Sequence, residues 1–188
     1  TQWMNQTLRP MKKRMDANTC ARLAFTSGRD LTMLNGELQK LAAYVGERET
    51  ITAEDVEQIA THTAECTVFA MVDALVDGQA ERAFSLLNVL LEGGEQRIGV
   101  LALITRQYRQ MLYAKDMQES RTPQAQMAKA LGVPPFALSQ LIRRAGRRTM
   151  AQLKNQLALC VNADFDIKRG AVREEAALDR LMLALTEK

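Results

Sequence analysis

The sequence contains few of the residue types that carry most enzyme chemistry and most loop structure. One histidine and three cysteines occur among 188 residues, and aromatic side chains make up 5%. Four prolines and ten glycines interrupt the chain. Much of the remainder is Ala, Leu, Met, Gln, Arg and Glu, which form helices readily. The composition therefore predicts an all-α protein.

The cysteines and the lack of long apolar runs bear on the cellular compartment. Cys20, Cys66 and Cys160 are far apart, and each lies in an apolar helical register. This pattern predicts reduced core thiols in a cytoplasmic protein, not a disulfide framework. No apolar run approaches the roughly 20 residues of a membrane span, and no signal peptide is recognisable. A membrane partner is therefore not expected.

The patterns of known catalytic and metal sites are missing. His62 has no cysteine or second histidine at ligand spacing, and neither a nucleophile elbow nor a phosphate-binding loop motif occurs. Asp164 and Asp166 lie two residues apart on a predicted helix and so point to different sides. We expect each to cap a helix or to pair with Lys168 or Arg169. The sequence predicts no catalytic residue, no metal ligand and no cofactor.

Charge is distributed unevenly, although the formal net charge is only +3. Residues 1–15 carry four basic side chains and no acidic one; residues 16–96 have a net charge of −9 and residues 97–170 one of +9. This asymmetry indicates either an electrostatic role for residues 97–170 or charge complementarity between packed halves.

Helix signals divide the chain into two bundles. Leu31, Leu34, Leu38 and Leu41 recur at steps of three and four after Asp30, which can cap the helix. We expect these leucines to form core. Further helices are predicted at 2–9, from Asp16 or Asn18 to Gly28, from a Thr52–Asp55 capping box, at 68–76, 80–91, 97–119, 123–131 (capped by Thr122), 135–147, 149–168 and 172–186. The polar run 61–67 predicts a boundary between a small domain, 1–64, and a larger one, 67–188.

The stretch 127–142 is similar in pattern to a helix-turn-helix. One predicted helix ends at Leu131, Gly132 allows a tight turn, and a second helix follows. That helix ends in Arg143, Arg144, Arg147 and Arg148, which could neutralise phosphates. Three interpretations remain open: sequence-specific DNA reading, a basic surface facing phosphates or an acidic partner, and a solvated face. The alternative function they support is a helical DNA-binding regulator using residues 123–148.

Helix-mediated assembly is a third functional class, beside catalysis or metal binding and nucleic-acid binding. The predicted helices carry wide apolar stripes at Val68–Val76, Phe84–Leu91 and Leu178–Leu185. Internal cores need most of this surface, and part of it could remain for a partner.

Taken in order, several motifs resemble those of the delta-subunit family of the bacterial DNA polymerase III clamp loader. The resemblance covers essentially the whole chain. The motifs are Gly28–Leu31, Asn35–Leu41, Ile51–Val56, Val68–Leu75, Ala83–Leu91 with Gly93 and Gly94, Arg106–Leu112 with Lys115, Leu131–Val133 and Asp164–Gly170.

The resemblance implies an all-α fragment that holds an AAA+ lid-like domain (domain II, 1–64) and a helical collar domain (domain III, 67–188). It implies assembly with other clamp-loader subunits through the collar. It also implies that the domain contacting the sliding clamp precedes residue 1, and that DNA could be a partner as part of the complex. The parent would be a subunit of a DNA-directed DNA polymerase, a nucleotidyltransferase complex, and the fragment would have no catalytic site of its own.

One departure from active AAA+ subunits falls on Leu31. Their lid has Gly-x-x-Arg, in which the arginine reaches the nucleotide; aligning on Gly28 puts Leu31 at that place. An apolar side chain cannot pair with a phosphate. The resemblance therefore implies a non-ATPase member of the family.

Overall fold

The computed structural model describes residues 1–187, and these residues form eleven α-helices, one 3-10 helix and no β-strand. The prediction of an all-α protein is confirmed. The helices are α1 (Gln2–Leu8), the 3-10 helix (Arg9–Met11), α2 (Ala17–Thr26), α3 (Leu31–Tyr44), α4 (Ala53–Ile59), α5 (Ala64–Val76), α6 (Ala80–Glu92), α7 (Arg97–Glu119), α8 (Gln124–Leu131), α9 (Pro135–Gly146), α10 (Met150–Lys168) and α11 (Glu174–Thr186).

Side-chain caps fix several helix starts. Asp16 accepts a hydrogen bond from the backbone N–H of Thr19 at 2.6 Å, and Asp30 caps α3 in the same way. Thr52 and Asp55 form the predicted capping box at the start of α4. The predicted cap at Thr122 is wrong: Pro123 is extended and holds the cap position, so α8 begins at Gln124.

The chain divides into two compact units, Thr1–Cys66 and the part from Thr67 onward. The first unit encloses an apolar core that receives Leu34, Leu38 and Leu41 from α3. Leu31 is 59% exposed, so its predicted place in the core is wrong. Helical side chains lean toward the helix N-terminus, and Leu31, the first residue of α3, therefore extends past the end of the helix.

Polar contacts tie the loop after α4 to α3. The buried carboxylate of Glu37 accepts a hydrogen bond from the backbone N–H of Thr61 at 3.1 Å and pairs with Lys40 at 2.8 Å. Burial raises the pKa of Glu37, but the hydrogen bonds from Lys40 and Thr61 outweigh that effect, so the pKa lies below its usual value. His62 follows in this loop and is exposed.

The second unit is built around α7, which packs against α8, α9, α10 and α11. Its core face is fully buried and includes Ile104, Tyr108 and Met111. Two polar side chains of α7 bind backbone carbonyls near the ends of neighbouring helices. Gln110 donates to the carbonyl of Leu131 at 3.1 Å, and Lys115 donates to that of Ala145 at 3.3 Å.

Among the described residues, no single helix is long and apolar enough to cross a membrane. Only α4 and α5 taken together, across the break between them, reach the required length and composition.

Candidate functional site

Arg144, one of the four predicted basic residues, is an internal anchor of the second unit. Its side chain is 2% exposed, and its Nε and Nη2 atoms donate to the two carboxylate oxygens of Asp73. The guanidinium also lies over the ring of Phe69, 3.5 Å from the centroid. Burial lowers the pKa of Arg144, and the hydrogen bonds to Asp73 oppose that shift. This bidentate pair fixes α9 against α5.

Two further arginines hold the end of α5. Arg148 is buried, and its Nη2 atom donates to the carbonyl of Val76 at 3.1 Å. Arg147 is half-exposed and pairs with Asp77, the residue after α5. A cation at the C-terminus of a helix is favourable because the last carbonyls lack helical partners.

The prediction of a surface of four arginines facing DNA or a partner is therefore wrong for Arg144 and Arg148, which are buried, and Arg147 is shared with Asp77. Arg143 is exposed. The sequence held a signal for this result. Arg144 lies three residues after Leu141 and seven after Ala137, so it belongs to the apolar register of α9.

The predicted helix-turn-helix pair forms, but its second helix does not present base-reading groups. Gly132 adopts φ = 66° between α8 and α9, as the tight turn requires. The first turn of α9 begins with Pro135, Phe136 and Ala137, and Ala137 is buried. A recognition helix contacts base edges with the residues near its start, and these side chains offer no donor or acceptor for that purpose.

The apolar stripes predicted for assembly are largely core. Most of α5 is buried, and on α6 and α11 the apolar side chains at helical spacing are buried as well. Single apolar side chains remain exposed, notably Val89 at 55% and Leu183 at 53%. These two lie on different helices.

A continuous exposed stripe runs along α10 instead, which the sequence analysis missed. Val161 is 50% exposed and Phe165 61% exposed. Ala158 is exposed one turn earlier, and exposed lysines stand at both ends, at positions 154 and 168. We call this set, residues 154, 158, 161, 165 and 168, the α10 face. Its spacing of three and four could have been read from the sequence, but core and surface stripes look alike at that level.

A cleft of about 240 Å³ lies between α10 and α11. It is lined mainly by small and aliphatic side chains, among them Leu159, Val172 and Leu181, with Asp166 and Arg180 also contributing.

Within residues 1–187, no group of three or more His, Cys, Asp or Glu side chains could hold a metal ion. The Asp164 and Asp166 carboxylates pair with Lys168 and Arg169 at 2.7 and 2.8 Å, as predicted. Cys20 and Cys160 are buried thiols, and Cys66 is partly buried.

The match to a known family falls almost entirely on the second unit. The model of the family described as DNA polymerase III delta subunit, C-terminal domain, matches residues 65–185. The chain belongs to this family. The matched segment begins inside α5, close to the division between the two units, and extends through α11 to within a residue of its end.

A protein sequence and a solved structure, both of Bacillus subtilis delta proteins, are similar to the chain over most of its length. One is the DNA polymerase III subunit delta of Bacillus subtilis (strain 168), which is 27% identical over 158 residues. That alignment covers 84% of this chain and 46% of the relative, so the chain spans about half the length of the protein it matches. The other is the solved structure of the Bacillus subtilis DNA clamp loader delta protein, with a TM-score of 0.77 and 24% identity. It covers all of this chain and 55% of that one, and this likeness shows a shared fold.

Proposed function

We propose that the chain is the C-terminal part of a clamp-loader delta subunit that acts in DNA replication. The observation that carries this proposal is the family match over residues 65–185, which coincides with the second unit. In this proposal the first unit is the AAA+ lid-like domain II, and the second unit is the collar domain III. The clamp-loading function named for the Bacillus subtilis relative supports the assignment.

The second unit would join the other clamp-loader subunits through the α10 face. Val161 and Phe165 expose large apolar surfaces in register on one side of a helix, whereas most surface apolar side chains of a monomer are scattered singly. Central aromatic and aliphatic anchors with a charged rim are the usual anatomy of a protein interface. Lys154 and Lys168 would supply that rim.

The role proposed for this part of the protein is mechanical and structural. It would have no catalytic site and no cofactor of its own, although it would belong to a DNA polymerase holoenzyme. Leu31, at the place of the nucleotide-sensing arginine, supports a non-ATPase part. The sliding clamp would be contacted by a domain outside this sequence, and DNA would be met within the cytoplasmic complex.

Co-purification tests the assembly role. The tagged 188-residue chain is mixed with the remaining clamp-loader subunits of the same organism, and the retained subunits are quantified. The double variant V161S/F165S should retain at least tenfold less, because both anchors of the interface are removed. Its helical circular dichroism should not change, since both side chains are at least half-exposed.

The matched control is L31S, which removes an exposed leucine from the first unit and should leave retention unchanged. Retention of the double variant at the wild-type level would refute the α10 face as the interface. A folded wild-type chain that retains no subunit would refute the clamp-loader proposal itself.

The alternative of a DNA-binding regulator using residues 123–148 is less well supported. Two of its four arginines are buried and bonded to α5. Arg143 then contributes one exposed positive charge, which is too little for tight non-specific binding of DNA.

A further inference from the structure

The first unit contains a basic turn that has no role in the proposed assembly through the second unit. Arg9, Lys12, Lys13 and Arg14 lie within six residues and line a cleft of about 490 Å³, to which Glu49 contributes one acidic side chain. The rest of the first unit is acidic: residues 16–66 hold four basic and nine acidic side chains. The positive charge of this unit is therefore concentrated on one turn, which we call the basic turn (residues 9–14).

The backbone of the basic turn is fixed on both sides. The N–H of Lys12 donates to the carbonyl of Arg9 at 3.0 Å and that of Lys13 to Leu8 at 3.2 Å. Farther along, the backbone N–H of Arg14 donates to the backbone carbonyl of Glu49 at 3.0 Å. The carbonyl of Arg14 accepts from the backbone N–H of Ile51 at 3.0 Å. The side chains on this turn are therefore presented from a rigid support.

Lys12 adopts the left-handed conformation, with φ = 54° and ψ = 35°. A glycine is the usual residue at such a helix end, and an L side chain there costs about 1 kcal/mol or more. Lys12 therefore occupies a position where glycine would avoid this strain. Residues that break a local rule are expected at functional or strained sites. Arg121 has a similar φ of 55°, but Lys12 differs from it in lining a cleft with three other cations.

The cations of the basic turn fall into two groups. Lys13 is committed to the fold, since its Nζ atom donates to the carbonyls of Gly46 at 2.5 Å and Arg48 at 2.9 Å. Arg9, Lys12 and Arg14 are exposed. Within residues 1–187 these three side chains form no ion pair. The side chain of Arg14 donates a hydrogen bond from Nε to the hydroxyl of Thr50, at 3.3 Å.

We propose that the basic turn binds the phosphate backbone of nucleic acid through Arg9, Lys12 and Arg14. Two guanidinium groups suit bidentate contacts to phosphate oxygens, and Lys12 adds a point charge between them in sequence. The amide of Asn5, which also lines the cleft, is already bonded to the backbone N–H and carbonyl of Met15, both at 2.9 Å. With the two guanidinium groups on phosphates, binding is independent of sequence. The choice of nucleic acid over an acidic protein rests on membership of a DNA polymerase III family, and the site goes beyond the assembly role proposed above.

Fluorescence anisotropy with the whole 188-residue chain and a labelled 30-base-pair duplex tests this proposal. The triple variant R9Q/K12G/R14Q should bind at least tenfold more weakly in 50 mM salt. The plot of log affinity against log salt concentration has a negative slope, and its magnitude should decrease by about 3, since three phosphate contacts are lost. The control R29Q removes an exposed cation elsewhere in the first unit and should change affinity less than twofold.

The single variant K12G separates a binding role from a structural one. Its melting temperature should be equal to or above that of the wild type, because glycine relieves the left-handed strain, while its DNA affinity should fall. A structural lysine would instead lower stability and affinity together, and that result would overturn the assignment.

Three other outcomes would also overturn the proposal. In the first, the triple variant binds the duplex with wild-type affinity. In the second, R143Q loses binding while the triple variant retains it. In the third, polyglutamate of equal charge displaces the duplex as effectively as unlabelled DNA does. The last outcome would point to an acidic protein partner. None of them affects the co-purification assay, so the two proposals fail independently.

Discussion

At the scale of single residues, adjacent arginines have unlike roles. Arg143 is exposed, while Arg144, its neighbour, is buried against Phe69 and Asp73. The helix turns by about 100° per residue, so Arg144 lies on the core side of α9 while Arg143 points about 100° away from it, toward solvent. Charge counted along the sequence therefore overestimates the basic surface of α9.

The Arg144–Asp73 pair predicts unequal effects for its two partners. D73N leaves a fully buried guanidinium without its counter-charge and should lower the free energy of unfolding by about 3 kcal/mol. R144M should cost less, about 1–2 kcal/mol, because the Asp73 side chain is 28% exposed and its carboxylate can still be hydrated. Urea unfolding followed by circular dichroism measures both values.

R143Q is the matched control for this pair and should change stability by less than about 0.5 kcal/mol. The double variant D73N/R144M should be more stable than D73N, since the uncompensated charge is removed. Equal losses in the two single variants would contradict the asymmetry.

At the scale of secondary-structure elements, two buried carboxylates hold the α3–α4 region together. Asp55 accepts hydrogen bonds from the backbone N–H of Thr52 and from Arg48, both at 2.8 Å, and Glu37 holds Thr61 after α4. Burial raises the pKa of Asp55, but the hydrogen bonds from Arg48 and Thr52 outweigh it and the pKa lies below its usual value. The capping box was predictable from the Thr-x-x-Asp pattern, whereas the long-range hydrogen bond that the backbone N–H of Thr61 donates to Glu37 was not.

These two carboxylates predict a loss of stability in acid. Their ordinary pKa values are 3.8 for Asp55 and 4.5 for Glu37, and both are lowered in the folded chain. The unfolded chain therefore binds protons first as the pH falls, so the stabilisation is complete above about pH 4.5 and is lost as the pH falls through the folded values. Melting temperatures between pH 7 and pH 3 check this expectation.

The double variant E37Q/D55N should show a smaller fall in melting temperature over the same pH range, because two of the linked groups no longer titrate. A variant with the full wild-type pH dependence would show that other carboxylates control acid unfolding.

At the scale of the whole molecule, the chain holds two cores with separate residues. The apolar cluster of the first unit is drawn entirely from residues 1–66. The second unit is organised by α7, whose buried face contacts four other helices. Each core should therefore respond to its own mutations.

Hydrogen exchange measured by mass spectrometry tests this separation with a matched pair of substitutions on α3. L38A removes a fully buried side chain and should cost about 2–5 kcal/mol, so amides in residues 1–66 should exchange faster. Peptides from residues 67–187 should keep their exchange rates, since local opening follows the core that was weakened.

L31A is the control within the same helix. Because Leu31 is 59% exposed, this variant should leave exchange unchanged in both units. Faster exchange of α7 peptides in L38A would contradict the independence of the two cores.

The sequence by itself determined the helical class, most helix ends and the Thr52–Asp55 capping box, because these depend on neighbours within one or two turns of the chain. It also carried the ordered motifs by which the family is recognised. Tertiary structure decided which members of each pattern are buried: it exposed Leu31, buried Arg144 and Arg148, and left the α10 face open. The reason is physical. Periodicity shows that a helix has an apolar side. Only the packing of distant segments determines which side of the helix, and which charged groups, are buried away from water.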